Sequence, residues 1–424
     1  MVDSKEKHGE YIHYEDDKIV KIEWYTHGHF DCELSVETGD HNYNHGEGNL
    51  WQKYTIKDGK PDGDWVLYHS NNQMSIHRKH DNGSKEGTWK SWHDDGSQWD
   101  EQTYVNNKKE GSSKRWRYNE VPEYEGQYKD DKKEGKWTWY YENGRKNYEG
   151  EYKNGKRVGK WFKYHNVKNM NQSSEDNIYS EILYVDDVRE GEYLEYDVRG
   201  NIKVIGQYKD DKKEGSWKYR RNDKSEFDDD DLWKRENYKS GLLDGPYKEK
   251  HPSGKLWKSY RYREGELHGE CTEYNTLGNL SSVQHWLMGT KNKKWWSYYQ
   301  DGSTKETLVY KMGILNGKSM KFYPNEQVLQ DIFFKNNKLD GDYIEYYIHG
   351  KTRSQGVMVD GKMNEKWTFW HHNGQKECEI ICKNGELIEG TVWDDDGNEK
   401  KGKQKVKLSE DPNFSGRKTT RNLK

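Results

Sequence analysis

The 424-residue sequence contains no alanine and little of the Leu, Ile and Val that fill most protein cores. Only 30% of its residues are hydrophobic even with Tyr and Trp counted, which under-supplies a packed multilayer domain of this length. The four cysteines, Cys32, Cys271, Cys378 and Cys382, are too few for a disulfide framework, so a reducing compartment is expected. No run approaches the roughly 18 apolar residues of a helical membrane span, and the first residues, Met1 to Lys7, lack the apolar stretch of a signal peptide. A soluble, cytoplasmic chain is therefore expected. Charge of one sign is missing too: 71 basic and 75 acidic residues interleave to a net −4, which argues against capture of nucleic acid by the main body. The absence of alanine and the scarcity of proline point to an AT-rich genome, such as those of some protists and large DNA viruses.

What the chain does have is aromatic. Nineteen Trp and 33 Tyr raise the aromatic share to 14%, which speaks against disorder, because rings bury large areas and can replace aliphatics in a thin core. These rings recur. Glycines at Gly63, Gly87, Gly111, Gly135 and Gly159 are spaced 24 residues apart. After a shift the series continues at Gly191 and Gly215, and after another at Gly245, Gly269, Gly317 and Gly341. Two slots, Lys293 and Glu365, have lost the glycine but kept the ring that follows.

Two residues past this mark glycine stands a first aromatic: Trp65, Trp89, Trp137, Trp161, Tyr193, Trp217, Tyr247, Trp295, Tyr343 and Trp367. Three residues further stands a second: Tyr68, Trp92, Tyr140, Tyr164, Tyr196, Tyr298, Tyr346 and Trp370. Another glycine sits nine residues after the mark, as in Asp95-Gly96, Asn143-Gly144 and Ser253-Gly254, and usually another aromatic at seventeen, as at Tyr104, Tyr128 and Tyr152. Turn signals every ten to fourteen residues break helices and favour tight hairpins. Each unit reads as strand, turn, strand, turn, which predicts an all-β, elongated antiparallel meander of hairpins forming a twisted or curled sheet. The two rings of the first strand have opposite parity, so either a bulge reorients one or both faces carry rings.

The unit from Gly135 through Trp137, Tyr140, Gly144 and Tyr152 to Gly159 and Trp161 resembles the MORN-repeat variant, related to the membrane occupation and recognition nexus repeats and known in bacteria among antitoxin-like proteins. The resemblance covers roughly residues 39–398, with residues 1–38 as a degenerate cap. It implies a hairpin array used in scaffolding, partner binding or association with lipid, and no catalytic residues.

Polar insertions interrupt the period near 166–179 and 221–231, the second ending in the acidic run Asp228 to Asp231, which reads as a solvated loop. The segment 399–424 is expected to be a disordered basic tail, with Lys400, Lys401, Lys403, Lys405 and Lys407 as candidate contacts to anionic lipid. Cys378, Cys382, His371 and His372 invite a zinc reading, but cysteines four apart on a strand lie roughly 13 Å apart, beyond one ion's reach. No cofactor, metal or catalytic set is expected. The aromatic slots read first as core, and rings outside them (Trp99, Trp233, Trp257, Trp296) as candidates for exposed contacts. The functional expectation is a non-enzymatic scaffold that binds protein partners. Its rivals are an adaptor on anionic membrane and an antitoxin-like inhibitor of one protein.

Overall fold

A computed structural model describes residues 9–16, 18–26, 29–44, 50–166, 177–220 and 232–400. Most of both insertions, including Asp228 to Asp231, and the tail from Lys401 lie outside them. The described residues contain strands and turns and no helix. They divide into two units, residues 1–212 with 223–226, and residues 213–222 with 227–424.

The first unit opens with a three-stranded sheet, Gly9–Glu15, Lys18–Thr26 and His29–Leu34. A ladder then runs from Gly39–Asn44 to Ile202–Lys209, and the second unit carries a ladder from Lys212–Arg220 to Glu386–Val392. Within each ladder the described strands pair antiparallel with their neighbours along the chain, so the fold is the hairpin meander the repeat predicts. Two-residue turns close one end of the hairpins. Asp130 and Asp131 take φ of 48° and 64°, the doubly positive geometry whose twist matches that of the flanking strands.

The mark glycine builds a bulge. Opposite Gly150, between the pairs Glu149–Phe162 and Glu151–Val158, the partner strand inserts Gly159, Lys160 and Trp161. Gly159 turns through φ 68°, a left-handed conformation that costs an L-residue roughly 1–2 kcal/mol. The bulge delivers Trp161 flat onto the neighbouring backbone, where a Cβ on Gly150 would fall inside the indole ring. Trp137 lies on Gly126 and Trp367 on Gly356 in the same way. In these three units a bare glycine fifteen residues past the mark is the seat for the next unit's indole.

The parity question resolves as rings on both faces. Trp137 and Trp139 stack at 5.6 Å on one face. The second-slot ring points to the other, where Tyr140, Tyr164 and Tyr196 donate their hydroxyls to Glu125, Glu149 and Glu181 at 2.6, 2.7 and 2.7 Å. Lys136 and Lys160 bridge to Glu149 and Glu181 on that same face, at 3.0 and 3.3 Å.

Neighbouring units are also stitched at both hairpin ends. The carboxylates of Glu86, Glu110, Glu134 and Glu190, each preceding a mark glycine, accept the turn N–H groups of Asn106, Asp130, Asn154 and Asp210. At the opposite end Tyr141, Tyr299, Tyr323 and Tyr347 donate to the carbonyls of Tyr164, Phe322, Tyr346 and Trp370, each 23 residues on. His69 and His251 stand in that same slot against Trp92 and Tyr274, and Arg117 reaches Tyr140. Each bond satisfies a backbone group that would otherwise lie open between units.

Two apolar clusters are described. In the first unit Ile19, Ile22 and Leu34 of the small sheet pack on Tyr54, Ile56, Trp65 and Leu67 of the ladder. In the second, Ile332, Tyr343, Trp367, Phe369 and Ile380 enclose Cys378 and Cys382.

Two stability predictions follow from the bulge. Gly150→Ala should cost about 2–3 kcal/mol in urea unfolding followed by Trp fluorescence, since the methyl displaces a seated indole; an unchanged midpoint would show that the indole is not seated there. Lys293 and Glu365 hold φ of 58° and 60° in the mark slot without being glycine. Lys293→Gly and Glu365→Gly should each stabilise by about 0.5–1 kcal/mol, the relief of strain exceeding the added freedom of the unfolded chain.

Candidate functional site

First-slot rings share one face with the rings seventeen residues past the mark, and a cation caps several of them. The residue two before the mark glycine is Lys85, Lys109, Lys133, Arg157, Arg189 and Lys213 in successive units. Lys133 Nζ lies 4.4 Å from the Trp137 ring centre and 5.0 Å from Tyr152; Lys213 lies 4.1 Å from Trp217 and 4.9 Å from Tyr238. Arg157 and Arg189 stand 4.1 and 4.3 Å over Tyr184 and Tyr208. The cation shields the outer surface of the ring while the ring's quadrupole attracts it, worth roughly 0.5–2 kcal/mol. Burial pushes the Lys85, Lys133 and Lys213 ammoniums below the usual lysine range. From Gly245 onward the slot is mostly aliphatic: Leu243, Leu267, Leu315, Leu339 and Met363, with Lys291 the exception. Sequence reasoning missed this slot, although six consecutive cations at one offset were legible.

In the first unit the ring row is interrupted. Ser113 occupies the position where most units place the first ring, as Cys271 and Ser319 do in the second unit, and it pairs with Gln102. Beside Gln102 lies a hollow of about 200 Å³, lined also by Ile76, Arg78, Trp89, Trp99, Asp100 and Tyr104. It adjoins a larger cleft of about 430 Å³, bounded by Trp65, Ile76, Arg78, His80, Lys85 and Trp89 on the ladder and by Ile12 and Tyr14 of the small sheet. Ile76, Arg78 and Trp89 belong to both, so the two form one groove.

Its geometry is set by the repeat. His80 stands in the slot seventeen residues after Gly63, where other units carry Tyr, and meets Trp65 at 6.0 Å and Trp89 at 5.2 Å, both edge-on. Trp89 meets Tyr104 at 4.9 Å. Arg78 and Lys85 both stand over Trp89, at 5.2 and 4.9 Å. Trp99, 47% exposed, rims the hollow, with Arg115 over it at 5.9 Å and oriented by Asp100 at 3.2 Å. Trp65 Nε1 and His80 Nδ1 are buried with no hydrogen-bond partner. Burial, with help from Arg78 and Lys85, pulls the His80 pKa down to about 4.

Of the ring residues named from the sequence, Trp65, Trp137, Trp161, Tyr164, Trp217, Tyr343 and Trp367 are buried and the rest are half-buried. Trp65 and Trp89 are the slot rings that the groove brings together. Among the rings outside the slots, Trp99 is exposed, while Trp233, Trp257 and Trp296 are half-buried. Among the described residues no three His, Cys, Asp or Glu side chains gather as a metal site, and Cys378 and Cys382 share the apolar face described above. Lys400 is exposed, and Lys401, Lys403, Lys405 and Lys407 fall outside the described residues.

The model of the MORN repeat variant family matches residues 133–154, 243–264 and 315–336. Each match begins two residues before a mark glycine, at the slot held by Lys133, Leu243 and Leu315. No curated protein matches the chain. Among solved structures it is similar to the TcdB2–TccC3–Cdc42 complex, at 9% identity over 89% of this chain and 21% of that one, with a TM-score of 0.15. It is also similar to the TcdB2–TccC3 complex, at 11% identity over 89% and 25% and a TM-score of 0.13. A third is the Photorhabdus luminescens Tc holotoxin pore, at 8% identity over 84% and 26% and a TM-score of 0.12. The chain spans about a fifth to a quarter of those chains.

The buried imidazole makes the first unit sensitive to acid. A histidine whose pKa falls from 6.5 unfolded to about 4 folded binds its proton more readily in the unfolded chain. Stability is then full above about pH 6.5 and drains away as the pH drops toward 4, by up to about 3 kcal/mol. His80→Tyr, restoring the usual slot residue, should flatten that portion of the stability–pH curve. An unchanged slope between pH 6.5 and 4 would locate the acid sensitivity elsewhere.

Proposed function

We propose that the chain, three segments of which match the MORN repeat variant, is a non-enzymatic scaffold that binds a protein partner through the groove of its first unit. The observation that carries the reading is the exposed Trp99 rimming a hollow lined by Arg78, Trp89 and Tyr104. A ring row serving packing alone would gain nothing from this arrangement. Trp, Tyr and Arg side chains around a preformed concavity are the residue types that dominate binding energy at protein interfaces. The stitched hairpins behind them hold the groove in place without a partner, which lowers the ordering cost of association. No residue is assigned a catalytic role.

Affinity capture from the native host, with intact chain and a Trp99→Ala variant, tests this. The intact chain should retain a stoichiometric protein that Trp99→Ala loses by about tenfold or more, with circular dichroism and melting unchanged. Equal retention by the variant would remove the groove from the function. Pelleting with anionic liposomes in place of any protein partner would favour a membrane adaptor.

A further inference from the structure

We infer that the ring row of the first unit carries oxidising equivalents out of the core: an electron taken from a buried indole is replaced from Tyr148 at the surface. This activity goes beyond the scaffold reading and is independent of it. The rings form a continuous row. Tyr124 and Tyr128 meet Trp137 at 5.7 and 5.2 Å, Trp137 meets Trp139 at 5.6 Å, and Trp139 meets Trp161 at 5.9 Å. Tyr152 lies between the indoles, 6.1 Å from Trp137 and 5.1 Å from Trp161, and Tyr184 extends the row 6.0 Å beyond Trp161. Electron tunnelling falls off exponentially with distance, so rings in contact exchange an electron far faster than rings separated by a layer of aliphatic side chains. Indole and phenol also lose an electron at potentials that backbone and aliphatic groups do not approach.

The direction of travel follows from charge. A ring that has lost an electron is a cation, and a fixed cation beside it disfavours that state. Lys133 stands 4.4, 4.9 and 5.0 Å from the ring centres of Trp137, Trp139 and Tyr152. Lys109 caps Tyr128 at 4.9 Å, Arg115 caps Tyr124 at 5.4 Å, and Arg157 caps Trp161 at 5.9 Å and Tyr184 at 4.1 Å. Tyr148, 6.1 Å from Trp139 and 42% exposed, carries no such cap among the described residues. Its cross-strand neighbour Lys163 lies over Tyr179 instead, at 5.2 Å. Burial pushes the Tyr124, Tyr128 and Tyr152 phenols above the usual tyrosine range, so a radical formed on them has no easy route for its proton, whereas Tyr148 faces water. The oxidant, a diffusing one-electron radical, gains its electron from an indole of the row. The indole regains it by way of Trp139 from Tyr148, and the Tyr148 phenol releases its proton to water, leaving a neutral phenoxyl radical. A thiol or ascorbate returns a hydrogen atom and restores the phenol.

The test exposes the full chain to a limiting dose of azide radical, which oxidises indoles in preference to phenols. A nitroso spin trap is present, and tyrosine adducts are mapped by peptide mass spectrometry. Tyr148 should carry at least threefold more adduct than Tyr118, which is 58% exposed with its hydroxyl on Asp94 but lies outside the row. Trp139→Phe keeps a ring in place but removes the relay. It should cut the Tyr148 adduct at least threefold, leaving the Tyr118 adduct and circular dichroism unchanged. Tyr148→Phe, a substitution at an exposed ring, should at least double the oxidation products on Trp137 and Trp161. Equal adduct on Tyr148 and Tyr118 would overturn the proposal, as would a Tyr148 adduct indifferent to Trp139→Phe, which would show direct attack from solvent. Should Trp139→Phe fail to fold, unchanged indole damage in Tyr148→Phe overturns it alone.

Discussion

An indole on a sheet of paired hairpins must be covered by whatever its own and the adjoining strands can offer. Trp137, 1% exposed, shows how this is met. Gly126 leaves the space beneath its ring, Tyr124, Tyr128 and Tyr152 surround it, and Lys133 lies over it. Removing Trp from water releases roughly 25 cal/mol per Å² of apolar surface, and this arrangement gains it with almost no aliphatic side chains. At such a seat alanine would meet the ring, and Leu or Ile in place of the indole would lack the flat surface that stacks on it. Lysine, with an apolar stem and a charged end, covers the ring while keeping its ammonium near water.

Much of this was legible before any coordinates. Period, hairpin turns and both ring slots follow from glycine, Asn-Gly and aromatic spacing, because those signals act over a few residues. Ring parity left two options open, and the structure places rings on both faces, Trp137 on one and Tyr140 on the other. What stayed hidden joins positions ten to twenty-four residues apart. The seat at Gly150 makes sense only once Trp161 is known to lie on it. Histidines that look scattered, such as His69 and His251, share a slot with Tyr141 and Tyr323 because imidazole, phenol and guanidinium can all donate to the same carbonyl. Residue identity varies there while the hydrogen bond is kept, so a search for repeated letters passes over it.

The groove was the least legible part, for the opposite reason. It arises where the pattern lapses. In the sequence Gln102 carries no signal, and the hollow it lines becomes a feature only beside Trp89, Trp99 and Arg78. In a repeat protein, regular positions mainly sustain the array. Any specific recognition would have to come from units that differ, and one such unit, with Ser113 in the ring slot, lies in the half of the chain where the small sheet packs on the ladder.

The stitches between hairpin turns also bear on how such a chain changes length. Lys109 N–H reaches Asp131 at 2.8 Å across 22 residues, and Arg157 N–H reaches Asp187 at 3.0 Å across 30. The bond is indifferent to the extra residues, because they leave and rejoin the ladder at a hairpin end. Two kinds of lineage history are therefore cheap: duplication of a whole unit, which reproduces every inter-unit bond, and growth at a hairpin tip, which disturbs none. A deletion of a few residues within a strand has no such refuge, since it would turn seats, caps and donors to the wrong face at once.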